Sequence, residues 1–166
     1  MKQFNRRFTL GIIATACCLT FNGCEYDVPI TSKPTRKVEA RLLGDWLGKD
    51  SSPNGKEKLQ MKVRKLDDST YIVSYDGDLC RAYHSDVAKT PFISVQDLDD
   101  LDSVKPYYAY LTWKLSEDGK QLSLRFVRNE LVPYKTRDSA SVQKLLKQNL
   151  QNPKLFDEDK HFTKEK

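Results

Sequence analysis

The stretch KLQMKVRKLDDSTYIVSYDGDLCRAYHS, residues 58–85, decides the fold. Its first part, residues 58–64, alternates between polar and apolar side chains. Leu59, Met61 and Val63 fall on one face, and Gln60, Lys62 and Arg64 on the other. Side chains of an extended chain alternate faces, so this period of two marks a strand with one buried and one wetted side. Asp67, Asp68 and Ser69 break the pattern with turn residues, and TYIVSYD returns as the hairpin partner. Asp76-Gly77 supplies the next tight turn, because glycine accepts positive φ at little steric cost. DLCRAYHS then reads as a third strand.

The same period extends in both directions. PFISVQDL, residues 91–98, is a fourth strand, with Pro91 at its start where a missing N–H does least harm. YYAYLTWKL, residues 107–115, sets Ala109, Leu111, Trp113 and Leu115 on one face and Tyr108, Tyr110, Thr112 and Lys114 on the other. SEDGK is a hairpin loop with Gly119 in the left-handed position, and QLSLRFV turns Leu122, Leu124 and Phe126 inward. LLGDWLG, residues 42–48, precedes them all. Seven or eight short antiparallel strands at close spacing predict a mainly β domain, a small barrel or sandwich.

One helix is expected after the strands, over about residues 138–151. Asp138 or Ser139 can cap it, and Val142, Leu145, Leu146 and Leu150 form a stripe at helical spacing. Lys144 and Lys147 fall toward its C-terminus, where the helix dipole favours cations. Pro153 marks the stop, and KHFTKE, residues 160–165, is a last short strand.

Strands closing a barrel, then a helix, then a short terminal strand is a layout similar to the lipocalins. Those proteins carry Gly-x-Trp in the first barrel strand, where this chain has Gly44-Asp45-Trp46. The resemblance covers about residues 42–162. It implies a carrier of a small apolar ligand, with a basic residue of the last barrel strand over Trp46; Arg125 or Arg128 can fill that place. Trp46 as a plain core residue explains the same letters. Trp46, Tyr108, Tyr110, Trp113 and Arg125 are therefore the candidate ligand or partner surface. If Tyr108 and Tyr110 face outward they offer amphipathic rings to a peptide, glycan or envelope protein, and if inward they edge a cavity. Ordinary sheet packing is the default reading of the same residues.

The chemistry-bearing residues are few. His84 stands beside Ser85 and Asp86, but neighbours in a strand point to opposite faces and assemble no triad. No G-x-S-x-G elbow occurs, so a non-enzymatic protein is expected. The two histidines, His84 and His161, show no zinc spacing, and no metal or cofactor is expected. DLDDLD offers Asp97, Asp99, Asp100 and Asp102, yet it lacks the central Gly and terminal Glu of a calcium loop and reads as a solvated acidic loop.

The formal charge is +5, but residues 1–23 hold three bases and no acid. The chain from Cys24 onward carries 25 bases against 23 acids, which gives no electrostatic case for nucleic-acid binding.

The first residues follow a different plan. MKQFNRR is basic, and FTLGIIATACCLTF is an apolar run of 14 residues. As a helix it reaches about 21 Å at roughly 1.5 Å per residue, short of the ~30 Å hydrocarbon core, so an export signal fits better than a permanent span. FNGC, residues 21–24, resembles the lipobox of bacterial lipoproteins, which prefers Leu and then Ala or Ser where Phe21 and Asn22 stand. The resemblance implies a signal of residues 1–23 ending at Gly23, with Cys24 the lipid-modified first residue of the mature chain. Cys17, after ATA, is the competing site. With Cys24 acylated, Cys80 stays as a thiol; without acylation, Cys24 and Cys80 become available to each other. Residues 24–40, rich in charge, Pro and Thr, read as a flexible tether, and residues 41–166 as the β domain.

These expectations join into one reading: an exported protein, lipid-anchored to a bacterial membrane (the outer membrane if Gram-negative). It acts as a non-enzymatic binding or envelope-structural module, or alternatively as a lipocalin-like carrier of a small apolar ligand.

Overall fold

The computed structural model describes residues 26–49, 58–98 and 106–165. The expectations for the signal, Cys17, Gly23 and Cys24, and for Asp99, Asp100 and Asp102, lie outside the described residues.

Eight strands close into one antiparallel barrel in chain order: β1 (Gly44–Lys49), β2 (Lys58–Lys65), β3 (Thr70–Tyr75), β4 (Asp78–His84), β5 (Ile93–Asp97), β6 (Tyr108–Leu115), β7 (Gln121–Phe126) and β8 (Lys160–Lys164). Each pairs with the next, and β8 pairs back with β1 through Trp46–Lys164, Leu47–Thr163 and Gly48–Phe162. The helix, α1 (Ser139–Asn149), lies in the connection between β7 and β8. Asp76 and Gly77, at φ 50° and 107°, make the β3–β4 turn in the left-handed region that glycine tolerates.

The alternation read from the sequence sorts side chains to the two faces of the wall. Trp46, Met61, Val63, Tyr71, Tyr75, Ala82, Ile93, Leu111, Leu122, Leu124 and Phe162 are buried together inside. Gly48 makes room for Phe162: a Cβ there would lie 2.7 Å from the Phe162 ring, so the bare backbone lets the ring lie against β1. At one end the 3-10 turn Ala40–Leu42 forms a floor, and the Trp46 indole donates to the Leu42 carbonyl at 3.0 Å.

A second apolar cluster lies outside the wall. Asp138 caps α1 by accepting from the Ser141 N–H at 2.8 Å, and the helix buries Val142 and Leu146 against the barrel. Tyr108, Tyr110, Val127, Val132 and Leu155 share this cluster with Tyr26 and Ile30.

The segment expected as a free tether is packed from Tyr26 onward. Tyr26 and Tyr108 exchange both backbone hydrogen bonds, at 2.8 and 2.9 Å, and their neighbour Tyr110 stacks on the Tyr26 ring at 3.8 Å. Ile30 N–H donates to Ser94 Oγ at 3.1 Å, and its carbonyl accepts from Gln143 of α1 at 3.0 Å. Thr35 N–H then reaches the His84 carbonyl at 2.9 Å, and Val38 N–H the Asp68 carbonyl at 2.8 Å, before the floor. Tyr26, Val28 and Ile30 carry the binding face of this strap. Their spacing of two is the strand period, too short a run to stand out among charges and prolines.

The ion pairs of the described residues sit at the surface, with side chains such as Arg64 and Asp45 51% and 39% exposed. Exposed pairs contribute under about 1 kcal/mol each, so the two apolar clusters hold the fold.

Candidate functional site: the barrel interior

The barrel interior is not completely filled. A cavity of about 110 Å³ runs between the floor and the far rim, and each described residue lining it is apolar or aromatic, or the thiol-bearing Cys80. Trp113, Tyr71 and Leu42 border it near the floor; Tyr75, Val95 and Phe126 border it toward the rim. Ala109 of β6, on the inward face opposite Val95, is the smallest side chain on that inner wall besides Ala82. An eight-stranded barrel is just wide enough for its side chains to fill or to hold one small ligand. Drug-sized sites occupy roughly 300–1,000 Å³, whereas an apolar cavity of about 150 Å³ takes up benzene or xenon. This cavity belongs to the second class.

The sequence candidates divide between the two faces. Trp46 is fully buried at the floor, and Trp113 lines the cavity. Tyr108 and Tyr110 do face outward, but the strap and α1 cover that face: they are 9% and 0% exposed, and the Tyr110 hydroxyl donates to the Val28 carbonyl. Burial raises the Tyr110 hydroxyl far above its ordinary pKa. Arg125 points out of the barrel, its guanidinium 4.6 Å from the Phe156 ring centre and 3.8 Å from Asp159. Arg128 pairs with Asp157 at 2.7 Å.

Neither arginine reaches Trp46. The residue over the indole is Lys164, whose ammonium lies 5.1 Å from the ring centre and donates to the Arg41 carbonyl at 2.8 Å. The reason is topological: β8 closes the barrel beside β1, so the last barrel strand is β8 and not β7. Lys160 and Lys164 share the inward face of β8 with Phe162, and the only sequence signal for them is that Lys-x-Phe-x-Lys alternation.

Polar groups do enter the barrel near the floor. His84 is 1% exposed, and its Nε2 bonds the Tyr71 hydroxyl at 2.8 Å. That hydroxyl also accepts from the Glu39 N–H at 2.7 Å, which ties the histidine to the segment leading into the floor. His84 Nδ1 and Trp113 Nε1 are buried without hydrogen-bond partners among the described residues, their rings 5.9 Å apart. Ser85 instead bonds Thr31 at 2.7 Å and Ser94 at 2.9 Å, and Asp86 holds Arg36 at 2.6 Å. Adjacent in sequence, the three point into different networks.

Burial, with the nearby Arg36 charge, lowers the His84 pKa below 6.5. Well above pH 6.5 both folded and unfolded chains hold this histidine neutral, and its contribution is complete. As pH falls below 6.5 the unfolded chain takes up the proton first, so stability declines until the lowered folded pKa is passed. The denaturation midpoint should therefore be lower at pH 5.5 than at pH 7.5. In a His84→Gln variant that component of the decline should vanish; an unchanged slope would show that other groups carry it.

Comparison with protein-family models, curated proteins and solved structures finds no match to this chain.

Proposed function

We propose that this protein is an exported carrier of a small apolar ligand, held at a bacterial membrane by lipid on Cys24. One observation supports the carrier reading above the others: a closed barrel retains a cavity of about 110 Å³ walled entirely by apolar and aromatic groups and one thiol. Such a space gives water too few polar partners and favours an apolar occupant, since burying the occupant's surface recovers about 25 cal/mol per Å². The partner-module reading has less support, because the outer tyrosines that would serve it are covered by the strap and α1.

The membrane half of the reading rests on the basic, apolar and FNGC segments of the sequence. It gains a geometric consequence from the strap. Tyr26 is paired to Tyr108 at the start of β6, on the end of the barrel away from the 3-10 floor. Two residues span at most about 7 Å, so lipid on Cys24 would hold the barrel by this rim, close to the bilayer. A cavity presented to the membrane in this way suits a ligand that partitions from lipid.

Titrating the full chain with benzene, followed by the methyl and indole NMR signals, should give saturable shifts at Leu111, Leu124 and Trp113. Shifts that grow linearly without saturating would sink the carrier reading. Separately, Cys24→Ala should move the protein from the membrane to the soluble fraction of cells. A variant that still sediments with membranes would rule out the anchor.

A further inference from the structure

The two inward lysines of β8 are four residues apart on one face, yet their ammonium groups are in different situations. Lys164 stands on the Trp46 ring and donates to the Arg41 carbonyl, so its charge is used in the floor. Lys160 pairs in register with Leu124, whose side chain faces the interior, and therefore projects to the same side. Its ammonium lies 5.1 Å from the ring centre of Phe126 and 5.9 Å from that of Tyr75, two residues that line the cavity. It forms none of the ion pairs of the described residues. Of the three carboxylates just before it, Asp159 pairs with Arg125 at 3.8 Å and Asp157 with Arg128 at 2.7 Å, while Glu158 is exposed and pairs with no cation among the described residues.

A lysine ammonium offers three donors, and ring faces satisfy it only through weak electrostatic attraction. An anion arriving there would gain charge-assisted hydrogen bonds in partly dehydrated surroundings, and no ion pair among the described residues would have to break.

We propose that Lys160 is the head-group subsite of the barrel: it binds the carboxylate of a small amphipathic acid whose apolar body lies in the cavity. This rests on the carrier reading and narrows its ligand class from any small apolar molecule to monoacids of about one ring or a short acyl stretch. The separation of parts matches such a ligand. The cavity wall supplies no partner for a charge, and the cation stands at the end away from the floor, above the rings of Tyr75 and Phe126. An acid entering body first leaves its carboxylate at that rim.

The test uses phenylacetate and its neutral isostere phenylacetamide, titrated into the full chain by NMR. Phenylacetate should bind about tenfold more tightly than the amide, the factor expected of one charge-assisted contact at a partly exposed site. Lys160→Met keeps the stem over the rings and removes the charge, so it should equalise the two ligands, the acid losing most of its affinity and the amide little. Lys160→Arg should preserve the preference for the acid. Equal binding of acid and amide by the natural protein, or a preference that survives in K160M, would overturn the subsite and leave the carrier reading intact. Binding of neither probe would overturn the carrier reading, and the subsite with it.

Discussion

Replacing Trp46 by Ala is expected to destabilise the protein by about 3–5 kcal/mol, a large share of the roughly 5–15 kcal/mol that holds a domain of this size. The indole is fully buried and stands where three parts of the fold meet. In register it faces Met61 of β2 and Lys164 of β8, and its N–H reaches the Leu42 carbonyl of the floor. Truncation removes the ring, leaves a void that backbone on both sides cannot collapse into, orphans the carbonyl and takes the π face from under the Lys164 ammonium. Trp46→Phe separates these effects: it keeps most of the volume and should cost about 1–2 kcal/mol, chiefly for the lost hydrogen bond. A double-mutant cycle with Lys164→Met should report a coupling of about 0.5–1 kcal/mol, the worth of an accessible cation–π contact. Urea denaturation measures all three. A cost below 1 kcal/mol for Trp46→Ala would mean that the floor is not what fixes the junction of β1 and β8.

Much of this architecture is legible from alternation alone. Every strand read from the sequence exists within about two residues of its observed bounds, because half-buried strands write their two faces directly into the order of side chains. The helix was equally plain, since Asp138 and the Val142, Leu145, Leu146 stripe are local signals. What alternation cannot carry is anything that depends on the partner of a face. It sends Tyr108 and Tyr110 outward correctly, but says nothing of the strap and helix that cover them. It marks KHFTKE as a strand without showing that this strand closes the ring beside β1, and so it points to Arg125 or Arg128 where Lys164 stands. Those outcomes are set by contacts between residues far apart in sequence, such as Tyr110 with Val28, 82 positions away, and Lys164 with Arg41, 123 away.

The cavity is the least legible feature, because its volume is a small remainder between a wide ring and the bulky groups that nearly fill it. Trp46, Tyr71, Tyr75, Trp113, Phe126 and Phe162 occupy most of the interior, and the remaining space depends on which inward positions are small. Ala109 is the decisive one. Ala109→Phe would build a phenyl ring from the barrel's own wall into the space that a ligand ring would take. Binding of benzene or phenylacetate should then weaken by more than about 100-fold, equivalent to roughly 2.7 kcal/mol of lost contact. Folding should suffer less. The new ring fills a void and gains burial, while any misfit against Val95 and Phe126 costs about 1–3 kcal/mol, so the net change should be small beside that of Trp46→Ala. Ala140→Phe, on the exposed first turn of α1, adds the same ring away from the cavity and should leave binding unaltered. Calorimetric melting and NMR titration of both variants decide the matter. If Ala109→Phe folds and still binds the probes as the natural protein does, the interior is not the binding site.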